Sequence, residues 1–215
     1  MQLYTYFRSS AAFRARIALN LKGIDYEPIC IDIRPQAAAH CTPDYLAINP
    51  QGLVPTLVHD GTTIAQSLAI IEYLDETFPQ PPLLPATPAA RARVRAMALA
   101  VACEMHPLNN SRTLNYLRAP LAHDENTVNA WYHHWIAKGF RGLEEDAKRA
   151  TGDGQHMFGK SVTLADICIV PQMYNARRFN CDLEPYPTLR SICAHLETLP
   201  AFAKAAPEAQ PDAPR

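Results

Sequence analysis

The sequence has no basic block. Its 20 lysines and arginines against 21 aspartates and glutamates leave a formal charge of −1 over 215 residues, so nucleic acid is not an expected partner. No apolar run approaches the length of a bilayer crossing, and no membrane association is expected. The start, Met1-Gln2-Leu3-Tyr4-Thr5-Tyr6-Phe7-Arg8, lacks the basic lead and long apolar core of a secretion signal. None of the six cysteines forms a C-x-x-C pair. Without a secretion signal they read as reduced thiols in a cytoplasmic protein, with Cys103 and Cys168 as small core residues. Only eight glycines are present, and no G-x-G-x-x-G run offers a phosphate cradle. Cys103 with His106 is too small a set for a metal, and the adjacent His133 and His134 point to different helix faces. No metal is expected, and no convincing Ser-His-Asp order or fixed-period repeat is present.

What is there begins at Arg8-Ser9-Ser10, where a short apolar strand meets an amphipathic helix. A helix start exposes unpaired N–H groups and the positive end of the macrodipole. Two hydroxyls there suit an anion, and a thiolate is an anion. No cysteine lies in this stretch. A thiolate working here would therefore belong to a bound cofactor, with Arg8 nearby for a negatively charged partner.

Nearly half the residues are apolar (48%), enough for one large domain or two small ones. Leu3–Tyr6 reads as a strand. Phe13, Ile17 and Leu21 mark one helical face, closed by Gly23. Alternation through Ile29, Ile31 and Ile33 predicts a second strand and a βαβ unit. Thr56–His59 and Thr62–Ile64 flank Asp60-Gly61, a hairpin signal. Ser67 offers an N-cap for the helix through Leu74.

Five prolines fall between residues 79 and 88, which predicts a domain at 1–80, a linker at 81–88 and a second domain at 89–215. Beyond the linker the spacing is helical, as in Val94, Met97, Val101 and Met105, and in Val128, Trp131 and Trp135. Thr163-x-x-Asp166 predicts a capping box. Arg91, Arg93 and Arg95 read as a solvated face. The polar tail from Pro207 reads as loose.

Several residues carry two readings. Pro55 precedes a strand: a cis bond there would present the Val54 backbone to an extended ligand, and a trans bond would make an ordinary turn. Ser67 caps a helix and is also placed to meet a ligand carboxylate. His106 lies in a polar patch where Pro107 breaks the helix, as a structural donor or as a site residue. Arg177 and Arg178 read as surface arginines, or one of them turns inward to a carboxylate.

Taken together, Arg8-Ser9-Ser10 with Arg14-x-Arg16, Asn49-Pro50, Val54-Pro55-Thr56-Leu57, Gln66-Ser67, Thr163-Leu164-Ala165-Asp166 and Arg178-Phe179 resemble the zeta class of the glutathione transferases over nearly the whole chain. The resemblance implies an α/β thioredoxin-like N-terminal domain, an all-α C-terminal domain, a homodimer and a cis-proline at Pro55. It implies glutathione as cofactor, bound by Val54, Pro55, Gln51, Gln66, Ser67, His106 and Asn110. It also implies cis–trans isomerisation of a maleyl dicarboxylate, maleylacetoacetate or alternatively maleylpyruvate. Ser9 or Ser10 would hold the thiolate and Arg8 would act beside them, while Arg8, Arg178 and Arg112 would hold substrate carboxylates. Ala11 stands where many zeta members carry cysteine, so no enzyme thiol acts there. A reading from another class is a non-catalytic binding module of the same fold.

Overall fold

The computed structural model describes residues 1–34 and 36–214. Strand β1 (Gln2–Thr5) buries Leu3 and Thr5 on one face, as a period of two requires. It pairs in parallel with β2 (Glu27–Cys30) and antiparallel with β3 (Thr56–His59), and β3 pairs antiparallel with β4 (Thr62–Ala65). The sheet order is β2-β1-β3-β4. Leu3 lies opposite Leu57, and both are fully buried, each burial contributing roughly 1.5–3 kcal/mol. In the β3–β4 turn Asp60 (φ 48°) and Gly61 (φ 76°) both adopt positive φ, the twist a two-residue hairpin needs.

The second strand sits earlier than the isoleucine alternation predicts. Asp32 accepts the backbone N–H of Arg34 at 2.9 Å and grips its guanidinium, which turns the chain before Ile33 can extend the strand. Helix α1 (Ser10–Leu21) is buried from Ala12 to Leu19, Arg14 and Arg16 included, rather than on one face. Gly23 (φ 65°) ends it, with Ile24 N–H donating to Leu19 C=O at 3.0 Å. Helix α2 (Pro43–Ile48) precedes the Asn49-Pro50 turn, and α3 (Ser67–Thr77) lies against α1.

The second compact unit, Leu83–Glu197, is entirely helical apart from one isolated bridge, among the described residues. It holds α4 (Pro88–Leu99), α5 (His106–Asn109), α6 (Ser111–Arg118), α7 (Glu125–Ala150), α8 (Leu164–Arg178) and α9 (Pro187–Thr198, whose last residue groups with the first unit). The stretch Ala100–Met105 is wound wider, as π-helix. The break therefore begins before Pro107, which occupies the first turn of α5, where its missing N–H costs nothing. A Cβ on Gly139 would overlap the Met105 side chain, so any larger residue there would have to displace Met105 from this wide turn.

In α7 the core stripe is Val128, Tyr132, Ile136, Phe140, Leu143 and Ala147. Trp131 and Trp135 are half-buried beside it rather than on the stripe with Val128. Cys168 is buried as expected. Cys103 is exposed, because the core side of the wide turn is taken by Val101 and Met105. The capping box at α8 is present: Asp166 accepts the Thr163 N–H at 2.7 Å and its hydroxyl at 2.8 Å.

The expected boundary falls inside the proline-rich segment, since the first unit runs Met1–Pro82. The expected second domain to residue 215 is corrected, because the chain from Thr198 groups with the first unit. There α10 (Pro200–Ala205) packs on α1, and the fully buried Arg16 donates to Ala205 C=O at 3.0 Å. The tail is not loose either. Pro207 is buried, Asp212 accepts the Phe7 N–H at 2.9 Å, and Ala213 packs against Tyr6, Phe7, Tyr45 and Val54. A backbone donor that needs an acceptor, and apolar surface that needs covering, hold it down.

Candidate active site

In the first unit, antiparallel pairing of β1 with β3 brings the end of β1 to the start of β3. The Tyr6–Ser10 turn and the Val54-Pro55 segment therefore lie at one end of the sheet. Ser9 (φ −68°, ψ 115°) is the N-cap of α1, and its Oγ accepts the Ala12 N–H at 3.2 Å. Accepting that bond leaves the hydroxyl proton available to donate outward. Ser10, the first helical residue, is buried, while Ser9 is half-exposed at the helix mouth. Arg8 is exposed, its guanidinium 5.2 Å from the Phe7 ring centre.

The Val54–Pro55 bond is cis. Its flanks are held by a buried polar network. Tyr45 Oη and Asn49 Nδ2 donate to Leu53 C=O at 2.6 and 2.8 Å, and both contact Thr56 Oγ1 at 3.0 Å. Burial raises the Tyr45 pKa, so the phenol stays protonated. Among the described residues, no hydrogen bond uses the N–H or C=O of Val54 itself. A donor and acceptor pair held rigid on both sides, with no internal partner, is what an extended peptide needs.

Gln66 sits just before α3 with φ 71°, a left-handed conformation that costs a non-glycine residue of order 1–3 kcal/mol. Its Nε2 donates to Gln51 Oε1 at 2.6 Å, which brings the two predicted amide residues together. Ser67 is not the N-cap expected of it: Gln66 caps, and Ser67 is the first helical residue. The unusual backbone of Gln66 starts the helix one residue earlier in the chain. The buried guanidinium of Arg14 reaches Ser67 Oγ at 3.4 Å. The first turn of α3 thus offers unpaired N–H groups, a hydroxyl and a nearby cation to a carboxylate. Neither Arg14 nor the Tyr45–Asn49–Thr56 network was read from the sequence as site-forming. The only signal for the network was the Asn49-Pro50 turn.

In the helical unit, His106 Nε2 lies 3.3 Å from Asn110 Nδ2, and Asn110 Oδ1 caps α6 by accepting the Arg112 N–H at 3.0 Å. Arg112 is exposed on the first turn of α6. Arg178, at the end of α8, is also exposed, with its guanidinium 4.6 Å from the Phe179 ring centre. Phe179 stacks on Tyr132 at 3.8 Å, and His133 Nε2 lies 2.7 Å from its C=O. Arg177 meets a carboxylate at the surface, Glu197 at 2.6 Å. Among the described residues, no group of three or more His, Cys, Asp or Glu side chains is placed to hold a metal. Among the described residues, no helix is long and apolar enough to cross a membrane.

A thioredoxin-like sheet that offers one free backbone pair and two helix starts is suited to a short acidic peptide. The glutathione S-transferase N-terminal domain family matches residues 8–77. Over 98% of this chain and 97% of the relative, the sequence is 48% identical to a probable maleylacetoacetate isomerase of Vibrio cholerae. A holo maleyl pyruvate isomerase, described as a bacterial zeta-class glutathione S-transferase, superposes over all of both chains with TM-score 0.96 at 45% identity. A maleylacetoacetate isomerase from Methylobacterium extorquens AM1, solved with malonate and glutathione bound, matches over all of both chains with TM-score 0.94 at 40% identity. The chain belongs to the zeta class of the glutathione transferases.

Proposed function

We propose that this protein is a glutathione-dependent cis–trans isomerase of maleyl dicarboxylates, converting maleylacetoacetate to fumarylacetoacetate. Maleylpyruvate is the alternative substrate, favoured by the likeness to the holo maleyl pyruvate isomerase. The observation that carries the reading is the unpartnered Val54 backbone at the sheet end that also carries Ser9. When bound, glutathione supplies a sulfur nucleophile that adds reversibly to the maleyl double bond, so that the carbons rotate about a single bond before the sulfur leaves.

The chain's own residues make this possible. Val54 N–H and C=O pair with the tripeptide backbone, while Gln66, Ser67 and the first turn of α3 hold its α-carboxylate, with Gln51 orienting Gln66. Ser9 donates its hydroxyl proton to the sulfur, and the α1 dipole adds to that stabilisation. A free thiol ionises near pH 8.5, so both effects act where only a few per cent would otherwise be ionised. Ser10 is the second candidate for this role. Arg8, Arg112 and Arg178 serve as cations for the substrate carboxylates, and Arg8 also stabilises negative charge that develops during addition. His106 and Asn110 are assigned to the glutathione side of the site.

A homodimer and a cytoplasmic location complete the proposal. The zeta-class resemblance supports the first, and six free cysteines support the second. Sedimentation velocity tests the dimer. The function is tested by isomerisation assays with both maleyl substrates, with and without glutathione. Full-rate turnover without glutathione would end the proposal, and so would the absence of both turnover and retention on immobilised glutathione.

A further inference from the structure

The end of the chain grips the turn that carries Ser9. Asp212 Oδ2 accepts the Phe7 N–H at 2.9 Å across 205 residues of sequence, two positions before Ser9. The same turn is held from the other side by Arg16, which donates to Tyr6 C=O at 3.2 Å and Phe7 C=O at 2.9 Å. Ser9 N–H closes the turn on Tyr6 C=O at 3.0 Å. Next to Asp212, Ala213 packs on the cluster of Tyr6, Phe7, Tyr45 and Val54. One short segment therefore touches both the turn before Ser9 and the apolar cluster that contains the residue with the free backbone pair.

We propose that Asp212 is a positioning residue: by holding the Phe7 amide it fixes the Phe7–Arg8–Ser9 turn, and so sets where the Ser9 hydroxyl points. The inference rests on the reading that Ser9 holds the glutathione sulfur. Donor placement matters at the scale of an ångström, because hydrogen bonds weaken steeply with distance and angle. Asp212 does not touch the reacting atoms and acts only through the turn. The charged and titratable groups around its carboxylate are Arg16, which attracts it, and the Cys30 thiol, whose pKa is raised first by burial and then by Asp212.

Geometry and charge make opposite predictions here, which gives the test its force. Deleting a nearby negative charge would by itself favour a thiolate. Losing the grip on Phe7 would disfavour it. Asp212→Ala removes both the charge and the acceptor, while Asp212→Asn removes the charge and keeps an acceptor oxygen. Three measurements are made on the full-length protein: exchange of the Phe7 amide proton by NMR, ultraviolet thiolate absorbance of bound glutathione across pH, and steady-state kinetics for the glutathione KM. In Asp212→Ala the Phe7 amide exchanges at least tenfold faster. The thiolate fraction near neutral pH falls about fivefold, with glutathione KM within about twofold of wild type. Asp212→Asn restores both.

The positioning role is overturned if Asp212→Ala keeps the wild-type thiolate signal, even when it melts earlier, since that is a purely structural effect. It is equally overturned if Asp212→Asn fails with Asp212→Ala. A wild-type protein with no thiolate signal would instead remove the glutathione reading of Ser9, and this inference with it.

Discussion

Arg14 and Ser67 meet across 53 residues of sequence, guanidinium Nη1 to hydroxyl Oγ at 3.4 Å, both buried. The contact ties the helix that starts at Ser10 to the helix that starts at Ser67, the two helix starts assigned to the sulfur and the carboxylate of one ligand. It also puts a positive charge beneath a helix N-terminus that already favours anions.

Arg14→Lys keeps the charge and loses the fork. Glutathione affinity, measured by titration calorimetry, should fall about tenfold, or roughly 1.4 kcal/mol. Turnover at saturating glutathione should change less than affinity.

Ser9→Ala removes both the helix cap and the proposed sulfur donor. The thiol pKa of bound glutathione should rise, and kcat near neutral pH should drop roughly ten- to a hundredfold. Helix stability should fall by about 1 kcal/mol in thermal melts. Ser10→Ala should leave the thiol pKa near wild type. The reverse pattern would move the role to Ser10.

Arg178→Ala should raise KM for the maleyl substrate far more than KM for glutathione, because the residue is assigned to the substrate carboxylate. Steady-state kinetics in both ligands decides this, and unchanged turnover removes Arg178 from the site.

Asp166 is fully buried, and that burial raises its pKa from 3.8 to about 6 despite the bonds it accepts from Met157 and Thr163. A carboxyl whose pKa is higher in the folded state contributes stability that is fully present below its unfolded value. That contribution is lost as pH rises from about 4 through about 6. The melting temperature of the wild type minus that of Asp166→Asn should therefore fall over this window and level off above it.

Gly139→Val should destabilise the protein by roughly 1–3 kcal/mol in denaturant unfolding, because the new side chain meets Met105. Met105→Ala in the same chain should recover part of the loss, a non-additivity expected only of residues in contact.

Features set by neighbours in sequence were legible before any fold was known. The Asp60-Gly61 hairpin, the Thr163–Asp166 capping box, the proline boundary and the Ser9 helix start all depend on backbone angles and bonds spanning two to four residues. The Val54–Pro55 and Arg8-Ser9-Ser10 motifs lie together at one end of the sheet, whereas His106, Asn110, Arg112 and Arg178 lie in the helical unit. Local rules misjudged the start of α3, where Gln66 takes an unusual backbone and displaces Ser67 from the cap. They also misjudged β2, where the Asp32–Arg34 contact ends the strand early.

What the sequence by itself determined is the order of its elements and the chemistry available at two helix starts, because propensity, capping and turn angles act over a few residues. Only the tertiary structure decided that Arg14 and Arg16 are buried, that Cys103 faces solvent and that the last residues return to hold the Phe7 amide. Burial and long-range partners depend on which distant segment covers a surface, and α10 and the tail reach α1 and the Ser9 turn from some 190 to 205 positions away.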